Sequence, residues 1–131
     1  MHCKRILLVD DEPDAIEFLL DLLEDNGYSV ITANTAMEGL EQIRAQRPDL
    51  VCLDVLMPEE SGISLYQKLR TDPVLHRIPV LISSGLSFNR ELRLTDYLTL
   101  PDGSTIPEPD GVVEKPVDIR QFLATVRRLL P

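Results

Sequence analysis

Four short apolar runs in this chain each lead into residues able to do ionic chemistry. Ile6-Leu7-Leu8-Val9 is followed by Asp10-Asp11-Glu12, and Leu50-Val51-Cys52-Leu53 by Asp54. Val80-Leu81-Ile82 is followed by Ser83-Ser84, and Val112-Val113 by Glu114-Lys115. Each group taken singly has an ordinary explanation. Acids commonly open a helix on the positive end of its dipole, Lys115-Pro116 makes a turn, Ser84 is a core hydroxyl and Asp54 a loop acid. If the runs are neighbouring strands, however, at least three carboxylates, a hydroxyl and an ammonium meet at one place. Two like charges ~4 Å apart repel by about 1 kcal/mol in water and by more where water is scarce. Such a cluster calls for a cation, and oxygen ligands with room for water suit Mg²⁺, with Mn²⁺ also possible.

The elements that would position these groups follow from the apolar pattern. The runs lack period-two alternation, which suits strands covered on both faces, as in a parallel sheet. Tyr28-Ser29-Val30-Ile31-Thr32, β-branched and preceded by the helix-stopping Gly27, reads as a further strand. Residues 11–26 carry Ile16, Leu19, Leu20 and Leu23 on one helical face, with Pro13 in the first turn. Residues 36–46 repeat Ala36, Leu40 and Ile43 behind a Thr35 cap, with Glu38 three positions on. Further helices are expected over 61–70, over 88–98, and at the end, where Ile119, Phe122, Leu123, Val126, Leu129 and Leu130 align. The order βαβαβαβαβα implies an α/β fold, an open five-stranded parallel sheet with helices on both faces. The working groups then sit beyond the carboxyl ends of the strands.

At 131 residues, the chain is the length of one domain. Its net charge of −9, from 22 acids against 13 bases without a basic run, argues against direct nucleic-acid binding. Cys3 and Cys52 form no Cys-x-x-Cys pair, which points to a reducing compartment. No segment resembles a signal peptide or a membrane span, so a cytoplasmic protein is expected. Residues 100–110 break the rhythm with Pro101, Pro107 and Pro109 around a Pro-Asp-Gly turn signal. Leu98-Thr99-Leu100 and Ser104-Thr105-Ile106 there either pair as a small hairpin or form an irregular surface loop.

With these residues in place, the sequence resembles the receiver domain of two-component response regulators over nearly its whole length, 1–131. The resemblance rests on Asp10-Asp11-Glu12-Pro13, Leu50-Val51-Cys52-Leu53-Asp54-Val55-Leu56-Met57-Pro58, Gly62, Ser83-Ser84-Gly85 and Lys115-Pro116. It implies a flavodoxin-like, CheY-like doubly wound sheet of order 2-1-3-4-5. It also implies that Asp54 is the phospho-acceptor and that Asp10, Asp11, Asp54 and the Leu56 backbone carbonyl hold Mg²⁺. Lys115 would pair with the acceptor and Ser84 would move toward the phosphoryl group. The donor would be a phosphohistidine on a sensor histidine kinase or phosphotransfer protein, and the signal would pass to a downstream protein target. Such a chain is a signalling protein, not an enzyme beyond assisting its own phosphorylation and dephosphorylation.

This sequence departs from that pattern in three ways. Ser84 and Lys115 are further apart than the family usually has them, and a Pro-rich insertion near 99–111, between the fourth helix and fifth strand, accounts for the excess. It is expected to supply a partner face or to cover the usual one. Asp96-Tyr97-Leu98-Thr99-Leu100-Pro101 imitates the lysine segment with Leu100 in the lysine's place, but only Lys115-Pro116 follows a β-like run and leads into the last helix. Val112 stands where an aromatic switch residue is expected, and Leu56 and Leu86 flank the site where many relatives carry polar groups.

Three other functions compete. A flavodoxin-like cofactor binder would need phosphate-cradling donors after the first strand, where Asp10-Asp11-Glu12 would repel the ligand. An aspartyl phosphatase would need an Asp-x-Asp pair, but Val55-Leu56 follow Asp54. A degenerate receiver acting as a phosphorylation-independent docking module is opposed by the intact acid pair, acceptor, hydroxyl and lysine. After Pro131 no residues remain for an output domain, so the expectation is either a chain that acts through protein contacts alone or one cut from something longer. If Leu56 hinders an attacking water, the phosphorylated Leu56→Asn variant loses its phosphoryl group faster than wild type in a hydrolysis time course. An unchanged rate removes that role for Leu56.

Overall fold

Strands without alternation need cover on both sides, and the computed structural model shows how they get it. It describes residues 3–54, 62–84, 99–114 and 117–131. The strands are β1 (Arg5–Val9), β2 (Ser29–Ala33), β3 (Leu50–Asp54), β4 (Val80–Ser84) and β5 (Gly111–Glu114). The described helices are α1 (Pro13–Asp25), α2 (Ala36–Gln46), α3 (Gly62–Thr71) and α4 (Ile119–Leu129). All strand pairings are parallel and the order is β2-β1-β3-β4-β5, as the resemblance implied. The helix expected over 88–98 lies outside the described residues. No helix among those described is long and apolar enough to cross a membrane.

Successive side chains of a strand point to opposite faces, so each central strand feeds two cores. Leu7, Val9, Val51 and Leu53 pack with Ala36 and Ile43 of α2 and with Leu65 and Leu69 of α3. Ile6, Leu8, Leu50 and Cys52 pack with Leu19 and Leu23 of α1 and with Phe122 and Val126 of α4. The helix signals act as the sequence suggests. Pro13 opens α1, and the Thr35 hydroxyl accepts the Glu38 N–H at 3.1 Å to cap α2. The Glu38 carboxylate reaches back to the Asn34 N–H at 3.2 Å, one residue earlier than in the usual reciprocal box.

Two boundaries differ from expectation for a physical reason. Tyr28, assigned to the second strand by its β propensity, donates its N–H to the Leu23 carbonyl. It therefore completes the end of α1 around Gly27, whose φ is +91°, and β2 begins at Ser29. At the other end of α1, Asp11 stands outside the helix. The Asp10 carboxylate accepts the Glu12 N–H at 3.0 Å, and this turn delays the helix to Pro13.

Gly111 opens β5 where α4 comes closest. A Cβ there would lie 2.8 Å from Thr125 Cγ2 and 3.0 Å from Leu81 Cδ1. A methyl group must push the Thr125 and Leu81 side chains aside in a packed region, so Gly111→Ala is expected to lower stability by ~1–3 kcal/mol. A fall in the denaturant midpoint at constant m-value checks this.

Candidate functional site

The site forms because the strand register brings the ends of separate strands to one height. Val9 pairs with Leu53, so Asp10 and Asp54, at the end of that register, stand side by side. The Asp10 N–H extends the β1–β2 ladder to the Ala33 carbonyl at 3.1 Å. Asp10 and Asp54 are buried, at 5% and 4% exposure, while Asp11 is half-buried. One carboxylate oxygen from each of the three lies within 4.8 Å of the others. Glu12, next in the acidic run, is exposed and is not part of this group.

Asp54 is itself the last residue of β3 and pairs with Ser83 of β4. The adjacent Ser84 ends β4 and pairs with Glu114 of β5, so the strand geometry carries the Ser84 backbone to the same edge. Leu56, Leu86 and Lys115 lie outside the described residues; Lys115 directly follows β5 in the chain. Val112, at the position expected of an aromatic switch residue, pairs with Ile82 and is 40% exposed.

Sequence reasoning gave no role to Ser83, the register neighbour of Asp54, because only strand pairing distinguishes it from Ser84. Ser83 lines a small space beneath the carboxylates together with Asp10, Asp54, Cys52 and Phe122. Burial pushes the Cys52 thiol up to about 12, so it stays protonated at neutral pH and offers no nucleophile there. Three hard carboxylate donors, two of them buried, fit a divalent cation such as Mg²⁺. A soft metal would look for sulfur or imidazole.

Comparisons with known proteins bear on the family and the fold. Residues 6–98 match the family model for the response regulator receiver domain. The chain is 37% identical over 102 residues to the alkaline phosphatase synthesis transcriptional regulatory protein PhoP of Bacillus subtilis. That match takes in 75% of this chain but 42% of the regulator, so the chain spans less than half of that relative's length. It is 32% identical over 126 residues to the protein Rrf1 of Nitratidesulfovibrio vulgaris, covering 96% of this chain and 82% of Rrf1. Among solved structures, the signal receiver domain of a signal transduction histidine kinase from Syntrophus aciditrophicus superposes with a TM-score of 0.83. That superposition is at 32% identity over 98% of this chain and 90% of the other.

Mutual repulsion in the trio makes a stability prediction. In metal-free buffer, Asp11→Asn is expected to raise the thermal midpoint by a few degrees, because one like charge is gone. Millimolar Mg²⁺ should raise the wild-type midpoint, since only the folded state groups the carboxylates, and should raise that of the variant much less. Paired melts with chelator and with Mg²⁺ check both.

Proposed function

The chain belongs to the response regulator receiver domain family of two-component signalling, and on that premise we propose that it accepts a phosphoryl group on Asp54. What carries this reading is the grouping of a buried strand-end Asp54 with Asp10 and Asp11. The donor is a phosphohistidine on a sensor histidine kinase or phosphotransfer protein in the cytoplasm, and the readout is a contact with a downstream protein.

In the transfer, one Asp54 carboxylate oxygen attacks phosphorus as the P–N bond to the donor imidazole breaks, leaving an acyl phosphate and a free histidine. Asp10, Asp11 and Asp54, with the Leu56 carbonyl, would hold Mg²⁺. When bound, that ion supplies positive charge against the phosphoryl oxygens. The rigid ends of β1 and β3 keep the attacking oxygen in place, so little ordering remains to be done at the moment of reaction. The lysine following β5, Lys115, would pair with a phosphoryl oxygen. Ser84, whose backbone is fixed in the β4 ladder, would follow the new charge with its hydroxyl and bias the surface beyond β4. The stretch near 99–111 is read as an insertion before β5, a reading supported by the end of the family match at residue 98.

Incubation with Mg²⁺ and a small acyl phosphate, followed by intact mass, tests the proposal. Wild type is expected to gain one phosphoryl mass, and Asp54→Asn none. A wild-type chain that gains nothing under these conditions is a phosphorylation-independent docking module instead.

A further inference from the structure

A buried guanidinium ties together parts of the chain that are far apart in sequence. The Arg70 side chain on α3 is only 6% exposed. Its Nη1 donates to the His76 and Ile78 carbonyls, both at 2.9 Å, and its Nε to the Tyr66 hydroxyl at 3.1 Å. Its Nη2 meets Asp110 Oδ2 at 2.6 Å, and the guanidinium carbon lies 5.0 Å from the Tyr66 ring centroid. The Tyr66 hydroxyl donates in turn to the Pro107 carbonyl. The same Asp110 oxygen accepts the Val80 N–H at 2.9 Å, and the Asp110 carbonyl accepts from Arg128 of α4.

Residues 99–110 hang from these anchors. Ile106 is buried in the core that contains Tyr66, Leu69, Val80 and Ile82, and Leu100 packs at its margin. Before Ile106 the segment folds back on itself. The Leu100 N–H reaches the Ser104 carbonyl at 2.8 Å, the Gly103 N–H reaches Leu100, and Thr99 bridges Thr105 in antiparallel fashion. Of the two readings the sequence left open, the described residues favour the small hairpin through this single bridge, while Leu98 lies outside them. Asp102 Oδ1 fixes its tip by accepting both the N–H and the hydroxyl of Ser104.

We propose that residues 99–110 are a strap that opens and closes as one unit, latched at Arg70. Closed, it shields the apolar face formed by Tyr66, Leu69 and Ile82; open, it uncovers that face. The cooperativity has a physical source. Loss of Asp110 deprives a buried charge of its counter-charge and the Val80 N–H of its acceptor at once. The apolar contact at Ile106 is stable only while both flanking anchors hold its segment in place. This device does not depend on whether Asp54 accepts a phosphoryl group.

Native-state hydrogen exchange on the full chain, with a series of low denaturant concentrations, tests it. In wild type, the Leu100, Gly103 and Asp110 amides are expected to share one opening that is easier than that of Leu7 and Leu53 in the central strands. Asp110→Asn should speed those three amides by a common factor of about tenfold and leave Leu7 and Leu53 unchanged. Ile106→Ala, which leaves the latch charges intact, should speed the same set together. Strap amides that exchange only with the central strands in wild type overturn the proposal. So does acceleration confined to Asp110 in the Asn variant, or acceleration that spreads equally to Leu7 and Leu53.

Discussion

The mutual repulsion of Asp10, Asp11 and Asp54 works against the sheet that brings them together, and much of the structure offsets it. A pair of like charges about 4 Å apart costs ~1 kcal/mol in water and about 4 kcal/mol at the effective dielectric of a protein surface. Each aliphatic side chain fully buried returns roughly 1.5–3 kcal/mol. Ile6, Leu7, Leu50, Val51 and Leu53 are all 0% exposed, so the two strands that carry the carboxylates are among the most completely covered parts of the protein. Apart from the exposed Arg5 at the start of β1 and Asp54 at the end of β3, these strands are apolar, as cover on both faces requires. A sheet with one wet face would have half as many such contacts to set against the same charges.

The helices contribute through their direction. The crossovers after β1 and β2 each return through a helix that starts at the carboxyl edge, so α1 and α2 begin near the acids and finish at the far edge. The partial positive charge at a helix N-terminus favours nearby acids by ~0.3–1 kcal/mol. The opposite ends carry Arg44 on α2, Lys68 and Arg70 on α3, and Arg127 and Arg128 on α4. The last turn of α1 carries no basic residue, so this complement at the far edge comes from the other described helices.

Most of the scaffold and the acid trio were legible in the sequence because both depend on local pattern. Continuous apolar runs gave the central strands, Thr35 and Glu38 gave the start of α2, and the acids at the ends of the first and third strands gave the trio. What was not legible depends on contacts across long separations. Nothing in the Pro-rich stretch announces that Ile106 belongs to the core, or that Asp110 meets an arginine on α3 and an amide of β4. Arg127 and Arg128 stay exposed on α4, and their contacts to the Asn26 side chain and the Asp110 carbonyl also span long separations. Tyr28 was misassigned because its β propensity is a local signal, whereas its N–H satisfies the end of the preceding helix.

The burial of Cys52 has a practical consequence. The chain has two cysteines, and the other, Cys3, is exposed ahead of β1. Thiol-selective reagents attack the thiolate, and a thiol held near 12 in a packed core supplies almost none at neutral pH. A maleimide dye or spin label will therefore attach at Cys3 while the fold is intact. The native sequence thus offers a single handle at the amino-terminal edge of the sheet, away from the carboxylates, without any cysteine having to be removed. The appearance of a second reactive thiol would in turn signal that the core around β3 has opened.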